Sequence, residues 1–267
     1  MEKNLGFIGA GKMAQAIMNG ISNSKIVDNF SFSEKNIEIG NQIAEKFNAN
    51  FIKSNAQLVK ESDIIVLCTK PFVVESVLKE ISPFIDSNKL IISIAAGITS
   101  KFIQNTLNKK VKVIRVMPNT PALVNEGISA ICKGEYADDF DFEFAKNLLS
   151  SVGKVIEATE DKIDAITALS GSGPAFYYYI IDQLAQAGVS LGLDYDTALV
   201  LSAQTALGSS KMIFDSNENI QKLIKNVSTP GGCTEVGNNI LLDSNISDIL
   251  KETILKTAKK ASELGNS

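Results

Sequence analysis

Along the first half of the chain, short apolar runs of β character alternate with stretches whose apolar residues recur at helical spacing. The β-type runs cover residues 5–9, 30–33, 64–68, 90–94 and 111–116. Helical patterning fills residues 11–21 and 37–47, and a last helix–strand pair is expected at 142–150 and 154–156. The run at 64–68 is stopped by Lys70-Pro71, and the run at 111–116 by Met117-Pro118. This alternation predicts a parallel sheet covered by helices on both faces. After about Thr159 the texture changes. Strand signals fade, and helices are predicted at 163–169, 175–191, 195–214, 220–226 and 246–264, with Pro174 suited to a first helical turn. The chain therefore divides into an α/β domain over 1–159 and an all-helical domain over 160–267. Little Gly or Pro marks the boundary, so the two are expected to pack together rather than hang on a loose linker.

Composition narrows the chemistry. The 267 residues are 45% hydrophobic and 21% charged, in keeping with a folded globular protein. A net charge of −4 and a pI near 5.1 argue against a nucleic-acid partner, which favours a basic stripe. The chain has no histidine, so it cannot build a Ser-His-Asp triad, a Cys-His pair or a His-ligated zinc site; no metal site is expected. Cys68, Cys132 and Cys233 are widely spaced and form no C-x-x-C pair, which reads as reduced thiols in a cytoplasmic protein. No leader-like segment opens the sequence, and no apolar run approaches the roughly 20 residues of a membrane span.

Gly9-Ala10-Gly11-Lys12-Met13-Ala14 follows the first β-run and opens a helix, the setting in which G-x-G-x-x-[G/A] binds a dinucleotide. Gly9 permits the tight turn, Gly11 lets backbone approach a pyrophosphate, and Ala14 allows close helix–strand packing. Glu34 stands at the end of the second strand, where a carboxylate accepts a ribose 2′-hydroxyl and repels a 2′-phosphate. It can equally be a solvated turn residue, and Ser31, Ser33 and Lys35 could host a phosphate, so the choice between NADH and NADPH stays open at this point. Three loops follow later strands: Cys68-Thr69-Lys70-Pro71, Ala95-Ala96-Gly97 and Met117-Pro118-Asn119-Thr120-Pro121. All three face the crevice where open α/β sheets bind ligands. In the helical half, Ser170-Gly171-Ser172-Gly173-Pro174-Ala175 and Ser228-Thr229-Pro230-Gly231-Gly232-Cys233-Thr234 read as small-residue loops at helix starts. Such loops serve as carboxylate sites, with hydroxyls from Ser172, Ser228 and Thr234 adding directed bonds, or simply as hinges and caps.

Four of these segments together carry a resemblance. Phe7-Ile8-Gly9-Ala10-Gly11, Arg115-Val116-Met117-Pro118-Asn119-Thr120-Pro121, Ala168-Leu169-Ser170-Gly171-Ser172-Gly173-Pro174-Ala175 and Pro230-Gly231-Gly232-Cys233-Thr234 occur in the order found in pyrroline-5-carboxylate reductases. The chain resembles that family over nearly its whole length. The resemblance implies a Rossmann domain followed by an all-α dimerisation domain. It implies NAD(P)H-dependent reduction of the C=N bond of 1-pyrroline-5-carboxylate to L-proline, the last step of proline biosynthesis. It gives Gly9, Gly11, Lys12 and Met13 roles at the pyrophosphate, with Ile8 and Ala10 in the same cofactor turn, and Asn55 a place near the adenosine. Thr69, Lys70, Pro71, Ala95, Ala96 and Gly97 would line the nicotinamide side. The substrate carboxylate would sit on Gly231, Gly232 and Thr234, with Cys233 in the variable slot, Ser172 nearby, and the Thr234 hydroxyl beside the ring nitrogen. A homodimer, or a homo-oligomer of dimers, is implied as well.

The missing histidine suits this chemistry. An imine nitrogen is basic enough to accept a proton from water, so the protein supplies orientation and electrostatics more than a strong internal acid. Two other readings compete. A β-hydroxyacid or phosphogluconate-type dehydrogenase typically carries a lysine in a Gly-rich motif of its helical domain; here Phe176-Tyr177-Tyr178-Tyr179 follows Ala175 instead. A dinucleotide-sensing regulator would bind cofactor and turn over no imine. Residues 175–191 and 195–214 are apolar over more of their surface than a solvated helix needs, so self-association is expected.

Overall fold

The computed structural model describes residues 3–24, 26, 27 and 29–265. In chain order the elements of the first half are β1 (Leu5–Ile8), α1 (Lys12–Ser24), β2 (Phe30–Ser33), α2 (Ile37–Phe47), β3 (Asn50–Phe51), α3 (Asn55–Glu61), β4 (Ile64–Leu67), α4 (Pro71–Ile81), β5 (Leu90–Ser93), α5 (Ser100–Leu107), β6 (Lys112–Met117), β7 (Gly127–Lys133), α6 (Asp139–Ser150) and β8 (Gly153–Glu157). Next come α7 (Ile163–Ile166), a wide π turn at Thr167–Gly171, α8 (Gly173–Ser190), α9 (Tyr195–Asp215), α10 (Ile220–Val227), α11 (Cys233–Asp243) and α12 (Ile246–Gly265). None of the described helices is long and apolar enough to cross a membrane.

The chain forms two compact units. One comprises the residues up to Ser172 together with those from Thr257 onward; the other runs from Gly173 to Lys256. In the first, one sheet has the order β3-β2-β1-β4-β5-β6-β7-β8. Its two faces are buried alternately, as a strand's period of two demands: Phe7, Ile64, Val66 and Ile92 enter one core, while Ile8, Ile65, Leu67 and Ile91 enter the other. Strands buried on both sides read as unbroken apolar runs, and for that reason β4 and β5 stand out in the sequence.

The sheet is not wholly parallel. β7, which the sequence pattern does not mark, pairs antiparallel with β6, and β8 then pairs parallel with β7. The cause is the short connection. Only residues 118–126 join β6 to β7, containing one 3-10 turn that ends at Asn125 in the left-handed region, φ 60°. A parallel crossover needs about a dozen residues or more, so the chain must turn back. The second unit is helical, with α8 and α9 adjacent; the Tyr195 hydroxyl donates to the Asp182 carboxylate at 2.7 Å.

Candidate active site

Strand order turns at β1 and β4, the topological switch point of the sheet, and a cavity of about 480 Å³ opens at the carboxyl ends of these strands. Its rim begins with Gly9, whose φ of +90° and position favour glycine: a Cβ there would lie 3.2 Å from the Cys68 carbonyl oxygen. A Cβ on Gly11 would meet nothing within 4 Å, so the mouth of α1 is open to a ligand approaching the backbone. The turn is fixed from both sides. Gly9 N–H donates to the Ser33 carbonyl at 3.0 Å, and the Gln15 side chain donates to the Ala10 carbonyl at 2.9 Å.

Glu34, at the tip of β2, reaches back over this turn. One carboxylate oxygen accepts from Ala10 N–H at 3.3 Å; the other accepts from Lys35 N–H at 2.8 Å and Asn36 N–H at 3.2 Å. A carboxylate offers about four lone-pair sites, so roughly one remains for a ligand hydroxyl. Next to it, Asn55 accepts from the Ser33 hydroxyl at 2.7 Å and donates to Glu80 at 2.9 Å, which fixes the orientation of its amide.

The cavity thus gathers Ile8, Gly9, Ala10, Gly11, Glu34, Asn55, Thr69 and Lys70 of the residues singled out by sequence, together with Ser33, Lys35 and Cys68. Lys12 and Met13 open α1, Pro71 opens α4, and Ala95, Ala96 and Gly97 follow β5; these six lie outside its lining. Lys53, Val73, Val77 and Glu80 complete the wall, and sequence reasoning missed them. Their signal was present, since Val73, Val77 and Glu80 recur at i, i+4 and i+7 on α4 and share a face. The Thr69 hydroxyl is buried and lacks any hydrogen-bond partner among the described residues. An orphan hydroxyl beside an open, glycine-lined helix mouth suits a polar, phosphate-bearing ligand. Burial pushes the Cys68 thiol well above its ordinary pKa and that of Cys132 up to about 11, so neither serves as a thiolate near neutrality.

The two small-residue segments differ from each other. Ser170–Ala175 is no free loop. Ser172 N–H donates to Thr167 O at 2.8 Å within the π turn, and α8 starts at Gly173. Asn119, buried between the two prolines, donates to Ser170 O at 3.2 Å and accepts from Ile128 N–H at 2.9 Å. The stiff loop after β6 therefore holds the π turn. Gly231, Gly232, Cys233 and Thr234 belong to the second unit and do open a helix. Gly231 has φ +74°, and Gly232 caps α11 without a side-chain hydrogen bond. The Gly231 N–H is taken by the Glu235 carboxylate at 2.8 Å, a carboxylate already seated on this turn.

A dinucleotide cradle at the switch point of a Rossmann sheet, followed by a helical unit, defines the class: a nicotinamide-dependent oxidoreductase. Comparison with known proteins narrows this. The family described as pyrroline-5-carboxylate reductase dimerisation matches residues 160–264, and that described as NADP oxidoreductase coenzyme F420-dependent matches residues 4–97. The pyrroline-5-carboxylate reductase of Methanosarcina acetivorans is 36% identical, covering 98% of both chains, and that of Glycine max is 37% identical, covering 97% of this chain and 95% of its own. Among solved structures, the Coxiella burnetii enzyme of that name superposes with a TM-score of 0.94 at 31% identity over 99% of both chains. The Plasmodium falciparum pyrroline carboxylate reductase, solved with NADP bound, gives 0.87 at 32% identity over 98% of both. The chain belongs to the pyrroline-5-carboxylate reductase family.

Proposed function

We propose that this chain reduces the C=N bond of 1-pyrroline-5-carboxylate to L-proline, using NADH in preference to NADPH. In this reading residues 1–159 hold the dinucleotide and residues 160–267 supply dimerisation and substrate contacts, in a cytoplasmic homodimer or an oligomer of dimers. Three unpaired cysteines suit a reducing compartment.

When bound, the reduced nicotinamide supplies the hydride. The chain's own residues bind and orient. The turn from Gly9 to Met13 and the N-terminus of α1 receive the pyrophosphate; Asn55, held by Ser33 and Glu80, flanks the adenosine; the Thr69 hydroxyl gains the partner it lacks. Gly231, Gly232 and the first turn of α11 receive the substrate carboxylate, whose place Glu235 indicates, and the Thr234 hydroxyl orients the ring nitrogen.

The observation that carries the cofactor preference is the Glu34 carboxylate, anchored by three N–H groups beside the turn. A ribose 2′-hydroxyl can donate to its remaining lone pair, whereas a 2′-phosphate meets like charge, which costs several kcal/mol. The test is loss of reduced-nicotinamide absorbance with 1-pyrroline-5-carboxylate, run with each cofactor on the natural protein and on Glu34→Gln. NADH should lead in the natural protein, and the NADPH-to-NADH ratio of kcat/KM should rise about 10- to 100-fold in the variant. Binding of either cofactor form without its oxidation would sink the reductase reading. An NADPH lead in the natural protein would sink the preference alone and make this chain resemble its NADP-bound Plasmodium relative.

A further inference from the structure

Arg115 is the sole arginine among the 26 basic residues of this chain, and it is buried: its side chain is 5% exposed. It does not line the cofactor pocket. It projects from β6, and its Nη1 lies 3.1 Å from Glu160, whose side chain is 32% exposed. The same carboxylate accepts twice more from one residue on another element. Ser100 N–H donates to Oε1 at 2.8 Å, and the Ser100 hydroxyl donates to Oε2 at 2.6 Å. Ser100 is the first residue of α5, where Thr99 already caps the helix by accepting from Phe102 N–H at 3.0 Å. Glu160 sits in the 3-10 turn that precedes α7.

The segment these contacts secure is the loop after β5. It leaves the sheet at Ile94, whose N–H donates to Leu67 O at 3.2 Å, and turns tightly as Ile98 N–H donates to Ala95 O at 3.3 Å, with Gly97 at φ +75°. At its far end stands Ser100, held by Glu160. A buried ion pair is weak evidence for stability, since well-packed apolar residues often serve that purpose better. A guanidinium against a carboxylate that also grips a helix start does something apolar residues cannot. It sets one geometry. Lysine, a point charge on a flexible stem, does not reproduce it, which fits the presence of arginine here in a chain that otherwise uses lysine alone.

We propose that Arg115 is a positioning residue for hydride transfer: through Glu160 and Ser100 it fixes the far end of the Ala95-Ala96-Gly97 loop, on which the nicotinamide side of the cofactor rests. The inference rests on the reductase reading above and on the place beside the nicotinamide that the family resemblance implies for Ala95, Ala96 and Gly97. Misplacement by about 1 Å costs on the order of 10²-fold in rate, so the loss belongs in kcat and not in the hold on the adenosine end.

The test compares Arg115→Met, Arg115→Lys and Ser100→Ala with the natural protein. Three readouts are taken: kcat and KM for NADH, titration with ADP-ribose, which lacks the nicotinamide, and amide hydrogen exchange over residues 95–100 without cofactor. Arg115→Met should lower kcat about 10²-fold, leave ADP-ribose affinity unchanged and speed exchange at Ser100. Arg115→Lys should restore part of kcat. Ser100→Ala keeps the ion pair and serves if Arg115→Met does not fold; it should lower kcat by a smaller factor with the same unchanged ADP-ribose affinity. Unchanged kcat in folded variants, or ADP-ribose affinity falling in step with kcat, overturns the proposal. Absence of imine turnover in the natural protein fails the functional reading instead, and the exchange and ADP-ribose measurements still decide whether Arg115 anchors the loop.

Discussion

The unit up to Ser172 and the unit from Gly173 to Lys256 bury their apolar side chains in opposite ways. In the first, Phe7, Ile17, Phe32 and Ile65 are fully buried, because a sheet offers two broad faces and helices cover both. In the second, only Gly173, Ala185 and Ala198 are buried, while Tyr178, Leu201, Ile213, Ile240 and Leu250 lie open. Within one chain these helices leave much of their apolar surface uncovered. Exposed apolar surface on this scale marks an interface. The dimerisation family that matches residues 160–264 says what kind: a second copy of the chain, in a homo-oligomer. One unit is folded by its own contacts, and the other is finished by assembly.

The contrast can be attacked directly. Leu201→Asp, on the open helical surface, should drop the sedimenting mass to that of the single 28.7 kDa chain and abolish activity, since an unpaired buried charge costs about 3–5 kcal/mol. Phe140→Asp, at a still more exposed apolar position of the sheet unit, should leave the mass unchanged. Equal responses of the two variants would erase the distinction.

Within the sheet unit, two glycines two residues apart should separate folding from binding. Gly9→Ala forces a side chain into φ +90° against the Cys68 carbonyl, so Tm and NADH affinity should both fall, the strain alone costing about 1–2 kcal/mol. Gly11→Ala should leave Tm in place and weaken NADH binding only, as its Cβ would occupy open space. Thermal unfolding and a cofactor titration on each variant decide the matter.

The smallest effect concerns acid. Lys112 beside Asp138, with the Asp141 N–H, holds the Asp138 carboxyl well below the usual range. A carboxyl depressed in the folded state stabilises fully above its unfolded pKa of about 3.9, and that contribution fades as pH falls toward the lower folded value. Asp138→Asn keeps a cap for α6 but removes the charge. Its deficit, about 0.2–1 kcal/mol at pH 7 for an exposed pair, should shrink steadily below about pH 4. A deficit that stays constant to pH 2 would refute the pairing.

Much of this architecture is legible in the sequence where a residue type has few alternatives. The turn at Gly9 needs glycine, and α2 occupies Ile37–Phe47, the span its apolar spacing predicts. β3 is two residues long and leaves no periodic trace. β7 carries β-branched residues, yet its direction follows from the length of the link to β6 and not from its composition. The π turn at Thr167–Gly171 joins the end of the helix expected at 163–169 to the small-residue segment after it, and Asn119, distant in sequence, takes one of its carbonyls. The α4 wall of the pocket escapes notice because Val73 and Val77 look like ordinary core. Local chemistry shows in the sequence, whereas contacts between distant segments do not.

The clasp of Glu34 over Ala10 has a consequence for how fast the site can work. The turn proposed to receive the cofactor is held by Glu34 from above and Gln15 from below, so its ordering comes with folding. Arrival of the dinucleotide then requires no rearrangement of this loop, and capture is governed by diffusion and by the exchange of bound water for phosphate oxygens. A socket built this way gives up little further conformational freedom each time a dinucleotide returns.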